Sequence, residues 1–328
     1  MNRRDLLGGS ISAGLLAVGA PGWLRAAAVP RQNLPVIGIL DAVGGGVGAE
    51  TGYGLAENGF VAGKDFRFEL GNSDYRADLL AMNAAEFVQR KVALILAFST
   101  RAALAAKSVT STTPIIFLAD DPVAVGLVDC LTQPGGNLTG VANLDSALIA
   151  KRIEIARELA PAMSLVVLVT DPTNQPMHDI EIRKARTAAK ALGLELSIIA
   201  WRGGGGFEIE LSSLPRDRNA VLVFGGGAPF FVRRSYLAYM AVHYGFPAIH
   251  GFREAADEGG LISFGTHLAD GGHLMGVCAA RILRGDKPAD VSVQKLAKTE
   301  LIINRWPAKS LGLQIPCTLL ARADEVIG

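Results

Sequence analysis

The stretch ALILAFSTRAALAAKSVTSTTPIIFLADDP, residues 93–122, sets the pattern for the rest of the chain. Ala93 to Phe98 is an apolar run of strand length, Ala102 to Lys107 is rich in strong helix formers, and Ile115 to Leu118 is a second apolar run. Apolar runs this short, joined through a helix, predict parallel strands covered on both faces. Each run ends in small or acidic residues: Ser99 and Thr100 after the first, Asp120, Asp121 and Pro122 after the second. In open α/β sheets ligands gather at such carboxyl ends, because loops and helix amino termini converge there.

The same alternation extends in both directions. Strand runs are predicted at 36–40, 66–70, 165–170, 195–200, 220–224, 248–250, 261–264 and 300–303, giving ten with the two above. Ten strands exceed one comfortable sheet, so the economical fold is α/β with two doubly wound parallel-sheet lobes. The seam is predicted after Gln133-Pro134-Gly135-Gly136-Asn137, a turn-rich segment leading to the short run Leu138 to Val141. Beyond it Leu148, Ile149, Ile153, Ala156 and Leu159 recur at helical spacing and open the second half. The halves share a rhythm without an obvious sequence repeat.

Composition narrows the function classes. With 32 basic and 31 acidic side chains the net charge is +1, which gives no electrostatic reason to expect a nucleic-acid or anionic-membrane partner. Residues 1–28 have the form of an export signal: Arg3 and Arg4, an apolar stretch from Leu6 to Ala20, and small residues ending at Ala28. The paired arginines before Asp5-Leu6-Leu7 point to the twin-arginine route, hence to the periplasm. Cys130, Cys278 and Cys317 are widely spaced and are read as buried thiols. Glycine is in excess, 38 of 328 residues, so its placement needs an explanation.

Several loops after strands carry two readings each. Ser99 and Thr100 can cap the helix that follows, or that helix start can hold an anion. Asp120 and Asp121 before Pro122, and Asp171 and Asn174 around Pro172, can make turns or accept hydrogen bonds from a ligand. Arg253 and Glu254 can clamp a polar ligand or pair on the surface. Gly44-x-Gly46-x-x-Ala49 fits a dinucleotide fingerprint, with Glu69 twenty residues further on. That cluster supports an alternative, an exported NAD(P)-dependent oxidoreductase, although Gly48, Gly52 and Gly54 interrupt the helix it would need, at about 1 kcal/mol each. No G-x-S-x-G elbow, H-E-x-x-H or G-K-[ST] phosphate loop is present, so no catalytic set, metal or cofactor is assigned.

A family resemblance runs through nearly the whole mature chain. It rests on Pro35 to Leu40, Asp121-Pro122-Val123 with Gly126-Leu127-Val128, Pro134 to Val141, Phe252-Arg253-Glu254 with Glu258 to Leu261, Arg281 to Asp290, and Leu319 to Ile327. In these segments the chain resembles ABC-importer substrate-binding proteins of the tryptophan/tyrosine type, with the type I periplasmic binding fold. The resemblance implies a non-enzymatic, monomeric receptor that encloses a small solute, an amino acid or related compound, between two lobes and delivers it to an inner-membrane permease. It implies lobe 1 at 29–143 with 268–296, lobe 2 at 144–267 with 297–328, and crossovers near 141–146, 265–268 and 293–299. The pocket it implies draws on Asp41, Phe98, Ser99, Thr100, Asp120, Asp121, Asp171, Asn174, Gly226, Phe230, Phe252, Arg253 and Glu254. In that pocket the helix start at Ser99-Thr100 would face a carboxylate, an acidic side chain an ammonium, and phenylalanines the apolar part. Two stretches depart from the family pattern: Gly44 to Gly54 is expected to break the first helix, and Gly203 to Gly206 to replace the start of another.

Overall fold

The computed structural model describes residues 34–40, 44–71, 76–143, 145–215 and 219–328; residues 1–28, read above as an export signal, and Asp41 lie outside the described residues. In chain order the first half runs β1 (Val36–Leu40), α1 (Gly44–Glu57), β2 (Arg67–Gly71), α2 (Ala77–Gln89), β3 (Leu94–Ala97), α3 (Thr100–Val109), β4 (Ile115–Ala119) and β5 (Leu138–Ala142). A 3-10 turn at Asp145–Leu148 then leads into α4 (Ile149–Leu159), β6 (Leu165–Thr170), α5 (Gln175–Ala191), β7 (Glu195–Ala200), α6 (Phe207–Ser213) and β8 (Val221–Phe224). The second half continues with α7 (Ala228–Val232), α8 (Arg234–His243), β9 (Ala248–His250), α9 (Arg253–Asp257) and β10 (Ile262–Thr266). The chain finishes with α10 (Leu268–Leu283), β11 (Gln294–Lys295), β12 (Thr299–Asn304), α11 (Arg305–Ser310), α12 (Cys317–Arg322) and β13 (Glu325–Ile327).

These strands build two sheets. One has the order β11-β5-β4-β3-β1-β2, the other β13-β12-β10-β9-β8-β6-β7. All described pairings are parallel except β10 with β12. Each sheet therefore repeats one winding: its first strand is flanked by its second and third, which places a topological switch between β1 and β3 and another between β6 and β8. The chain passes between the sheets three times: after β5, between β10 and α10, and between β11 and β12. Every residue of β3 and β4 is buried, as their unbroken apolar runs require. A fully buried Leu or Ile contributes about 1.5–3 kcal/mol, so these central strands anchor the first lobe. Ser99, between β3 and α3, caps α3, its Oγ accepting the Ala102 N–H at 3.1 Å.

The first helix corrects the expectation of a glycine break. Gly44–Glu57 is one continuous helix, packed against α10. A Cβ at Gly54 would overlap the His273 carbonyl, and one at Gly276 would overlap the Thr51 carbonyl. Glycine here lets two backbones approach to a distance no side chain permits, and that packing compensates the helix-propensity cost. The dinucleotide alternative loses its geometry as well: Gly44 and Gly46 lie within α1, and Glu69 is engaged by Arg67 at 2.9 Å and Arg90 at 2.7 Å. At the second departure, Gly203 to Gly205 form a turn and Gly206, with φ +93°, precedes α6. The reading of three buried thiols is also corrected: Cys278 is buried, whereas Cys130 and Cys317 are exposed.

Candidate functional site

At the carboxyl ends of both sheets, where the two switch points face each other, a cavity opens between the lobes. The first lobe supplies Phe98, Ser99, Thr100, Arg101, Leu118 and Asp120, and the crossovers supply Asn143, Asp145 and Leu268. The second lobe supplies Asp171, Asn174, Met177 and Glu181, the backbone turn at Gly226 to Ala228, and Phe231 and Phe252. The cavity leaves about 70 Å³ for the centres of water-sized molecules. Polar and apolar side chains share its lining, the pattern of a small-molecule site.

The lining includes a cluster of three carboxyl groups. Asp120 follows β4, and its Oδ2 accepts the Ser146 N–H at 2.8 Å. Asp145, in the first crossover, pairs through Oδ1 with the wholly buried Arg152, which also donates to the Phe264 carbonyl at 2.8 Å. Glu181, on α5, accepts from Thr170 Oγ1 at 2.5 Å and from the Gly226 N–H at 2.7 Å. Burial pushes the Asp120 carboxyl up to about 7; Asp145 adds to the rise, while the Ser146 hydrogen bonds and Lys184 oppose it. Burial likewise raises Glu181 to about 8, with the Thr170 and Gly226 hydrogen bonds opposing and Asp145 and Asp120 reinforcing. A side chain at Gly225 would overlap Glu181 and one at Gly226 would overlap Asp145, so the two glycines admit the acids to the site. Asp120 Oδ1, Asp145 Oδ2 and Asn174 Oδ1 are buried and have no hydrogen-bond partner among the described residues. Buried acceptors left open in this way are suited to a ligand with several N–H donors.

The start of α3 lies beside this cluster. Ser99 caps the helix, as one of its two readings has it, and also lines the cavity. Thr100 Oγ1 accepts the Asp120 N–H at 3.1 Å, tying the ends of β3 and β4 together. Phe98, Leu118, Met177, Phe231, Phe252 and Leu268 supply the apolar part of the lining.

The structure thus brings Phe98, Ser99, Thr100, Asp120, Asp171, Asn174, Gly226 and Phe252 to one cavity. It places four other expected residues elsewhere. Asp121, with φ +39°, closes the turn after β4, its Oδ1 accepting the Ala124 N–H at 3.3 Å. Phe230 packs on Trp201 and Phe224 in the second-lobe core, and the next residue, Phe231, takes the cavity position. Arg253 donates to Glu300 at 2.9 Å and to Glu325 at 2.7 Å, which holds it on β12 and the edge strand β13. Glu254 lies beside it in the first turn of α9. Arg101, Asp145, Met177 and Glu181 escaped the sequence reading. Asn174, Met177 and Glu181 are spaced three and four apart, one face of α5, and a glutamate in an apolar helical stripe was the available signal.

Two lobes of the same winding, facing each other across a cavity at their switch points, define a binding protein with the type I periplasmic fold. The chain belongs to the ABC transporter substrate binding protein family, whose model matches residues 41–327. A relative described as tyrosine-binding protein, from Clostridioides difficile (strain R20291), is 27% identical over 261 residues, 79% of this chain and 74% of that protein. Among solved structures, a conserved domain protein from Vibrio cholerae matches with a TM-score of 0.81 at 22% identity, covering 90% of this chain and 100% of the other. An ABC domain in complex with L-Trp from Streptococcus pneumonia matches with a TM-score of 0.78 at 22% identity, with the same two coverages.

Proposed function

We propose that this protein is the periplasmic receptor of an ABC importer for an amino acid, which it binds as a zwitterion between its lobes and releases unchanged to the permease. The observation that carries the reading is the cavity's polar lining: buried acceptor oxygens of Asp120, Asp145 and Asn174 without partners among the described residues, together with the start of α3. An ammonium group satisfies the first and a carboxylate the second. Phe98, Met177 and Phe252 then line the space for an apolar side chain, and the tyrosine and L-Trp named for two relatives support an aromatic one. The export signal at 1–28 supports the periplasmic address and the twin-arginine route. In this reading residues 29–143 with 268–296 swing as one body against 144–267 with 297–328. Closure is driven by ligand contacts that only the closed form completes.

The test is a thermal-shift and calorimetric screen of the mature chain against L-tyrosine, L-tryptophan, L-phenylalanine and L-leucine. A ligand at about 100 times its Kd adds about 2.7 kcal/mol of stability. For a chain of this size that is a rise in Tm of roughly 4 °C. Folded protein that shows neither heat nor shift with any of them would sink the amino-acid reading.

A further inference from the structure

Arg101 occupies the first turn of α3, beside the two residues read as an anion-binding helix start. Its side chain is only 10% exposed, and it lines the cavity. Nη1 donates across the cleft to Thr173 Oγ1 at 2.7 Å. Thr173 is itself fixed, since Asp171 Oδ1 accepts both its N–H at 2.9 Å and its hydroxyl at 2.7 Å. Nη2 is buried and has no partner among the described residues, and the Asp171 carboxylate stops 4.0 Å short of Nη1. A guanidinium donor withdrawn from water without an acceptor is costly, and an unmet one at a ligand cavity marks a place where a ligand acceptor belongs. The amino-terminal N–H groups of α3 add a second positive feature facing the same cavity.

We propose that Arg101 binds the ligand's carboxylate through Nη2 while its Nη1 latches the second lobe through Thr173, so that one side chain both selects a carboxylate and reports its presence as closure. The proposal rests on the amino-acid reading for its ligand and adds the residue that separates amino acids from amines. A ligand with the ammonium and the apolar group but no carboxylate satisfies the acidic groups alone. It leaves Nη2 unmet, so closure gains less from it. Lysine at this position supplies charge but not the planar fork needed to hold ligand and Thr173 together.

The experiment compares L-tyrosine with tyramine, its analogue without the carboxylate, on the mature chain by calorimetry. The variants are Arg101→Met, Arg101→Lys and Thr173→Val, each checked for folding by circular dichroism. If the screen selects another amino acid, that acid and its decarboxylated amine replace the pair. Arg101→Met is expected to weaken L-tyrosine binding by about 10- to 100-fold more than it weakens tyramine binding. Arg101→Lys should fall between wild type and methionine. Arg101→Met that weakens acid and amine equally, or neither, overturns the carboxylate role while leaving the amino-acid reading intact. Wild type that binds no amino acid overturns that reading and the carboxylate role with it. The latch has its own readout, the radius of gyration of ligand-free protein by small-angle scattering. Thr173→Val and Arg101→Met should widen the particle, and identical radii in all three proteins overturn the latch.

Discussion

Glu181 stands on α5 with both carboxyl oxygens already bonded, to Thr170 and to the Gly226 backbone, and with Asp120 and Asp145 as acidic neighbours. Its ordinary value of 4.5 is raised to about 8 on folding, so the folded state holds the proton more tightly than the unfolded chain. The stabilisation from that proton is complete below about 4.5 and is lost as pH rises through about 8. Asp120, raised to about 7, acts in the same direction. The ligand-free protein is therefore expected to lose Tm steadily between pH 5 and pH 8.5. Glu181→Gln should remove up to about 1.4 kcal/mol per pH unit of that slope. Chemical denaturation at several pH values measures it, and equal slopes for variant and wild type would falsify the assignment. A bound ammonium favours the ionised acids, so the slope should also flatten in saturating ligand.

At the scale of elements, the pairing of α1 with α10 explains part of the glycine excess. Glycines in one helix do opposite things according to what faces them. Gly54 abuts the His273 carbonyl and has no room for a methyl group, whereas nothing lies within 4 Å of a Cβ added at Gly48. Gly48→Ala should therefore stabilise by about 0.5–1 kcal/mol through helix propensity alone. Gly54→Ala gains the same propensity but forces the helices apart, an overpacking cost of about 1–3 kcal/mol, so its net effect should be loss. Urea titrations of the two variants decide the matter, and shifts of the same sign would contradict this account. The element most legible in the sequence was α3, because its cap, its helix formers and the strands on either side are all local signals. Expectations of a broken α1 failed because the backbone it packs against lies more than 200 residues away.

For the whole molecule, the proposed closure would rotate the lobes about the three crossovers while each sheet keeps its hydrogen bonds. Contacts that already span the cleft among the described residues include the Ser146 N–H with Asp120 and Arg101 with Thr173. Ligand groups that complete the open acceptors on both sides should add to them. Saturation with an amino acid that raises Tm is thus expected to shrink the radius of gyration. Asp120→Asn should bind more weakly and contract less, since it weakens an acceptor on one lobe and the link to the other. A ligand that binds tightly with no contraction would count against closure as the working motion.

The sequence by itself determined the alternation of strands and helices, the two-lobed α/β architecture and the loops in which to look for a ligand. Those follow from periodicity, capping and turn chemistry, which act between near neighbours. Strands β5, β11 and β13 were not among the ten predicted; β11 and β13 have only two and three residues, and pairing with their neighbours defines them as strands. The sequence also named eight residues that line the cavity, because the ends of parallel strands converge wherever such sheets form. Only the tertiary structure decided that Asp145 and Glu181 join Asp120, that Arg101 reaches Thr173 while Arg253 turns to Glu300 and Glu325, and that glycine serves a helix contact. A carboxyl group's charge state depends on burial and on the charges around it, and a glycine's value on the backbone facing it. Both are fixed by segments far apart in the chain that meet only when the two lobes have folded.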